Sequence, residues 1–160
     1  MKAALDALVA LKSVDRAGWK RVGVTQPESV ADHSYGVALL ALLYAPPALD
    51  RERLLIMALL HDLAEARVGD LTPYDGVSKA EKHAREAAAM ATILAARPDL
   101  RAVWEEAEAG ESPEARFLKR LDKAELGLQA RHYATHGVDV SEFLTSALDG
   151  LALLDDVSAR

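Results

Sequence analysis

The chain contains no cysteine. A disulfide scaffold, a thiolate zinc site and a cysteine nucleophile are therefore excluded, and the composition is compatible with a reducing cytosol. Aromatic residues make up only 5% of the sequence and β-branched residues form few runs. No stretch alternates convincingly as a strand, and the composition favours helix. The apolar runs fall far short of the ~20 residues that a membrane-spanning helix needs. The N-terminal stretch MKAALDALVALKSVD carries Asp6 among its apolar residues and does not read as a signal peptide. An excess of positive charge is missing as well. The formal net charge is −6, which argues against sequence-independent binding to nucleic-acid polymers. It leaves room for a small phosphorylated ligand held by local cations or a metal. The expectation is a cytoplasmic protein.

What is present is 160 residues, 51% of them hydrophobic, with much alanine and leucine. That is enough for one domain over residues 1–160 with a substantial core. Apolar spacing predicts a first helix over Ala3 to Val14, followed by a loop from Asp15 to Glu28. Ser29 is an N-cap for a second helix running to Tyr44, where Pro46 and Pro47 stop it. Asp50 caps a third, from Arg51 to Arg67, which Gly69 ends. After a turn-rich loop over 70–77, Ser78 with Glu81 forms a capping box for a helix to Ala96. A shorter helix covers Asp99 to Ala109. Ser112-Pro113 opens a long one to His136, and Ser141 opens a last helix over 141–157. The expected architecture is all-α, with about six or seven helices.

The run from Leu54 to Leu60 is apolar without a break and leads into His61-Asp62. A helix apolar all round is normally buried, and an imidazole and a carboxylate at its end are costly there unless paired. They can be a hydrogen-bonded pair holding two helices in register, or they can share a divalent metal. Glu65 follows Asp62 by three and His61 by four, so a helix puts all three on one face. Asp70, just past the Gly69 cap, can return to the same end. His33 opens another strongly apolar helix and is a further contributor. On the long helix, Phe117, Leu118, Leu121, Ala124 and Leu128 form an apolar stripe. Asp122 borders that stripe and Glu125 lies within it. Geometry alone does not choose between those two acids.

The order of His33, His61-Asp62 and a distant Asp122 resembles the HD-domain metal-dependent phosphohydrolases. The stretches WKRVGVTQPESVADH, HDLAEARVGDLTP and FLKRLDKAE are similar to the 5′-deoxynucleotidase branch of that superfamily. They come nearest to its HD domain-containing protein 2 and YfbR-like group. The similarity runs from about Leu11 to Tyr133. A bare HD dipeptide is a weak sign; the extended H-D-x-x-E-x-x-x-G-D with an upstream E-S-V-A-D-H is a strong one.

The resemblance implies His33, His61, Asp62 and Asp122 as ligands of one divalent cation (Mn, Co, Fe, Ni, Zn or Mg). It selects Asp122 over Glu125, which becomes a residue behind the ligands or a structural one. It also implies that Glu65 and Asp70 orient and deprotonate the attacking water. Those two, with the backbone carbonyl of Leu71, can hold a second cation in eukaryotic relatives. Arg16 and Trp19 take the place of the group's substrate-binding Arg-Trp pair, separated here by two residues. The implied activity is hydrolysis of deoxyribonucleoside 5′-monophosphates to deoxynucleoside and phosphate, by a homodimer. Arg16 suits bidentate contact with phosphate, and Trp19 or Tyr74 can stack on a base. His83, His132 and His136 lack such a context and read as surface or helix-end residues. The competing readings are another HD phosphohydrolase, acting on a cyclic or polyphosphorylated nucleotide, and a non-catalytic metal- or nucleotide-binding module.

Overall fold

The structure, a computed structural model, describes residues 1–158. Every element in it is helical apart from one isolated bridge between Asp15 and Ser29. Seven helices have ten residues or more: α1 (Lys2–Leu11), α3 (Val30–Tyr44), α4 (Arg51–Leu60), α6 (Lys79–Ile93), α7 (Pro98–Ala109), α8 (Pro113–Ala134) and α10 (Leu148–Ser158). They bear out the all-α expectation, with ends displaced by a few residues. Three short ones, α2 (Ala17–Arg21), α5 (Glu65–Val68) and α9 (Ser141–Ser146), complete the described residues. No helix among these residues is long and apolar enough to cross a membrane.

The caps act as the side chains dictate. Ser29 Oγ accepts the Asp32 N–H, and Asp32 returns a carboxylate oxygen to the Ser29 N–H, so both orphan donors at the start of α3 are satisfied. Asp50, Ser78 and Ser112 each accept from the backbone three residues on. Gly69, at φ +82°, ends α5.

Five expectations need correction. The helix expected over 51–67 stops at Leu60 and restarts at Glu65, with a tight turn between. The loop expected over 15–28 contains α2, which puts Trp19 into the core with 1% exposure. The last helix breaks at the fully buried Ala147, so that α9 and α10 pack on different parts of the molecule. Complete burial of the apolar α4 is not found either: Leu54, Met57 and Ala58 face inward while Leu59 is 56% exposed. Leu128, expected in the α8 stripe, is exposed as well.

Helix α8 is the element around which the others assemble. Phe117, Leu118, Leu121 and Ala124 from it join Val37, Leu40 and Ala41 of α3, Leu54 and Met57 of α4, and Leu151 and Leu154 of α10 in the main core. A second cluster joins α1, α6 and α7 through Ala7, Met90, Ile93 and Trp104. A third packs Trp19 against Leu126, Ala130 and Tyr133 of α8, with Val140 beside them. Burying each large aliphatic side chain contributes about 1.5–3 kcal/mol, and α8 contributes such residues to both the main core and the third cluster.

Helix α10 approaches α8 backbone to backbone. A Cβ at Gly150 would stand 2.3 Å from the Ala124 nitrogen and 2.6 Å from the Lys123 carbonyl carbon. Neither atom can rotate away. Gly150→Ala should therefore cost roughly 1–3 kcal/mol, the scale of overpacking in a core, as a lowered urea midpoint. An unchanged midpoint would mean that α10 shifts freely on α8.

Candidate metal centre and adjoining pocket

The break after α4 is what shapes the HD turn. Leu63 and Glu65 donate to the carbonyls of Leu60 and Asp62, three residues back, at 3.1 and 3.0 Å. His61 Nδ1 donates to the Ala58 carbonyl at 2.8 Å, an oxygen that a continuing helix would offer to the Asp62 N–H. The Trp104 indole N–H reaches the His61 carbonyl at 3.3 Å. The ring of His61 is thereby fixed through Nδ1, and its Nε2 is left buried without a hydrogen-bond partner.

His33, in the first turn of α3, is fully buried and similarly arranged. Its Nδ1 donates to Glu125 Oε2 at 2.5 Å, and its Nε2 has no aligned hydrogen-bond partner. That Nε2 lies 3.7 Å from Asp62 Oδ2 and 3.1 Å from Asp122 Oδ1, while His61 Nε2 lies 3.3 Å from the same Asp62 oxygen. His33, His61 and Asp62 each offer one donor atom, all within 4.8 Å of one another. Asp122 joins them through His33. Two imidazole lone pairs and carboxylate oxygens facing a common space are a fitting donor set for a divalent cation.

Charge supports the same conclusion. Burial opposes ionisation of Asp122, but His33, His61 and Lys123 outweigh it and hold this carboxyl well below the usual range. Burial also opposes ionisation of Asp62, where His61, His33 and Arg16 prevail and lower it. His33 shows the reverse balance: burial and Arg16 disfavour its cation, while Asp122, Glu125 and Asp62 push it up to about 10. Glu65, 3% exposed, is pushed up to about 9 by burial first and then by Asp62 and Asp70. Its Oε2 is the third buried atom lacking a partner. The cluster holds more acid than its own residues neutralise.

The remaining sequence-predicted residues lie around this point. Arg16 Nη1 is 3.6 Å from Asp62 Oδ2; burial disfavours its charge, yet Asp62, Asp70 and Asp122 hold its pKa above the ordinary value. Asp70 accepts the Ala17 N–H at 2.7 Å and so anchors the start of α2. Two of the groups suggested for a second cation already face a protein cation. Lys82 Nζ lies 3.1 Å from the Leu71 carbonyl and 3.7 Å from Glu65 Oε1. Trp19 donates its N–H to Glu28 at 2.8 Å and packs between Tyr133 and Phe143, so its indole is a wall rather than a free stacking surface. Tyr74 is exposed, with the Arg21 guanidinium 4.3 Å from its ring centre. His132 and His136 are exposed at the end of α8, and His83 stacks on Trp104.

A cavity of about 240 Å³ adjoins the cluster. Arg16, Asp70 and Lys123 line it together with apolar Trp19, Leu126 and Phe143. Lys123 Nζ is 3.9 Å from Asp122 Oδ2. Sequence reasoning missed Lys123, Phe143 and Trp104. Lys123 carried a signal, since it directly follows Asp122. Phe143 carried none, because α9 is too short to show a periodic pattern.

Comparison with known proteins agrees with this geometry. The HD-domain family model matches residues 8–152. The chain is 45% identical over 128 residues to the 5′-deoxynucleotidase HDDC2 of Danio rerio, covering 77% of this chain and 64% of that protein. It is 39% identical over 138 residues to the 5′-deoxynucleotidase hdd1 of Schizosaccharomyces pombe, covering 81% and 70%. The chain thus spans less than two thirds of the zebrafish relative's length. The crystal structure of the PH0347 protein from Pyrococcus horikoshii superposes with a TM-score of 0.85 at 31% identity, over 98% of this chain and 95% of that one. With the family match reaching from α1 into α10, and with the histidines and aspartates of the motif gathered around one point, the chain belongs to the HD-domain family.

Proposed function

We propose that this chain is a metal-dependent 5′-deoxynucleotidase, hydrolysing deoxyribonucleoside 5′-monophosphates to deoxynucleoside and phosphate in the cytoplasm. The observation that carries the reading is the pair of buried, partnerless Nε2 atoms of His33 and His61 facing Asp62, beside a cavity that Arg16 and Lys123 line. The names of the relatives support the choice of substrate. His33, His61, Asp62 and Asp122 hold one divalent ion. Two imidazoles in the set suit Mn, Co, Fe, Ni or Zn better than Mg. When bound, the ion lowers the pKa of water and offsets the charge of the phosphoryl oxygens.

The chain's own groups do the rest. Arg16 meets the phosphate with a fork of donors, and Lys123 adds a point charge beside Asp122. Trp19, Leu126 and Phe143 supply the apolar surface for the nucleoside. Glu65 and Asp70 orient the attacking water, and Glu65 takes its proton as a P–O bond forms and the bond to the 5′-oxygen breaks. The departing 5′-oxygen gains a proton in exchange. Cation binding beside Asp62 weakens one of the causes that raise Glu65 and returns it toward an ionised base. The working unit is a homodimer. Tyr35, Leu39, Leu42 and Leu43 leave an exposed apolar strip along α3, and no charged residue occurs from 34 to 49. A second copy can face that strip without the repulsion that a net charge of −6 brings elsewhere.

Three kinds of outcome test this, the first of them activity. Phosphate release should be greatest with deoxyribonucleoside 5′-monophosphates in a panel including ribonucleotides and 3′-phosphates. Glu65→Ala should keep the ion by elemental analysis but lose turnover roughly 10²-fold or more, the scale of a missing general base. Wild-type turnover in that variant would remove Glu65 from the chemistry.

The second outcome concerns pH. In the ion-free protein His33 stays protonated to about 10 when folded, against 6.5 for the free side chain, so its stabilisation is complete below 6.5 and lost as the pH rises through 10. Glu65 stays protonated to about 9 when folded but ionises from 4.5 when unfolded, which also favours unfolding as pH rises. The chelator-stripped protein should therefore lose thermal stability between about pH 6.5 and 10, with saturating Mn²⁺ flattening the slope. A flat profile in the stripped protein contradicts the charge balance described. Third, Leu39→Glu should shift the sedimenting species from dimer to monomer; a monomeric wild type would end the dimer proposal.

A further inference from the structure

Behind the imidazole of His33 stands a carboxylate without a task in the reaction. Glu125 is buried on α8, three residues beyond Asp122. The two acids meet the same ring from opposite sides: Asp122 Oδ1 lies 3.1 Å from Nε2 and Glu125 Oε2 lies 2.5 Å from Nδ1. Glu28 also lies near this pair, but its Oε1 takes the Trp19 indole N–H, which leaves Glu125 as the direct partner.

The contrast with His61 explains why a side chain is needed. His61 caps the end of α4, so a carbonyl of the preceding turn, that of Ala58, accepts its Nδ1–H. His33 lies in the first turn of α3, where the carbonyl three residues back is that of Val30. The nearby Val30 carbonyl accepts from Ser34 Oγ. An acceptor for the His33 ring must come from another helix. Space for it comes from Gly36, where a Cβ would stand 2.8 Å from both Cγ and Oε1 of Glu125. Glycine inside a helix is unfavourable relative to alanine, and here it opens the notch that the carboxylate fills.

We propose that Glu125 is a positioning residue for the metal centre: by accepting the Nδ1–H of His33 it holds the ring with Nε2 turned toward Asp62 and Asp122, and Gly36 is the notch that lets it do so. This rests on His33 being a ligand of the ion, not on which substrate is hydrolysed.

The test is zinc affinity by chelator competition in the wild type, Glu125→Ala, Glu125→Gln, Gly36→Ala and the Gly36→Ala/Glu125→Ala double variant. Loss of a carboxylate behind a metal-binding histidine typically weakens binding 10–100-fold, and Glu125→Ala should fall in about that range. Glu125→Gln retains an oxygen acceptor and should stay within a few-fold of wild type. Gly36→Ala should weaken binding in the wild-type background and add almost nothing in the Glu125→Ala background, because both changes remove one contact. In the zinc-loaded protein, the hydrogen-bonded His33 Nδ1 proton should be visible by nitrogen-edited NMR in the wild type and Glu125→Gln. It should be lost in Glu125→Ala. Wild-type affinity in Glu125→Ala, or an equal cost of Gly36→Ala in both backgrounds, overturns the proposal. Should Glu125→Ala fail to fold, unaltered affinity in Gly36→Ala does the same. A protein that binds zinc as described but releases no phosphate from nucleotides counts against the proposed activity and leaves this inference standing.

Discussion

Four carboxylates and two imidazoles cannot be crowded together in a protein interior unless positive charge is set among them. That constraint governs the region where α3, the HD turn and α8 meet. Without an ion the molecule meets it by keeping protons where they would ordinarily leave. His33 remains an imidazolium and Glu65 remains neutral well above their usual ranges, and Arg16 and Lys82 lean in from the rim. The force that holds the acids together comes from elsewhere, chiefly the apolar faces of α3 and α8 packed on Leu121, Leu118 and Val37. Hydrophobic burial thus supports an electrostatic arrangement that is unfavourable by itself, and a divalent cation is a group able to relieve it.

Much of this was legible from sequence because it depended on local rules. Ser29, Asp50, Ser78 and Ser112 mark helix starts by side-chain chemistry, and each acts as the cap expected of it. His33, His61, Asp62 and Asp122 stood out because charged or polar groups at the ends and borders of apolar helices must find partners. What was not legible depends on contacts across the fold. Nothing in LLIMALLHDLAEARVGD announces that the helix stops at Leu60, since no glycine or proline interrupts it. The His61 side chain itself takes the Ala58 carbonyl, and the indole of Trp104, from 43 residues away, reaches the turn. The choice between Asp122 and Glu125 stayed open at the level of pattern for a good reason. Both residues grip the same imidazole, so each satisfies the geometric demand.

Trp19 illustrates a different limit. Its neighbours make it look like a ligand-stacking residue, yet α2 turns it inward, where Glu28 takes its N–H and Phe143 covers its ring. The apolar wall of the pocket is therefore a composite, with one layer from α2 and another from α9. The covering layer comes from a segment more than 120 residues away in the chain. Short helices such as these have too few residues for a periodic pattern, and their positions are decided by what they cover.

The chain order of these parts has a consequence for how the protein comes into being. All the residues facing the common point, from Arg16 to Asp122, precede Phe143, which lines the pocket from α9. Residues are added in chain order during synthesis, at about 5–20 per second. A growing polypeptide accordingly carries every group facing the common point before it carries Phe143, the outer layer of the pocket's apolar wall. The packing of α10 on α8 through Leu151 and Leu154 comes later still, so the residues of the site are all present before the contacts that hold α8 in place are complete.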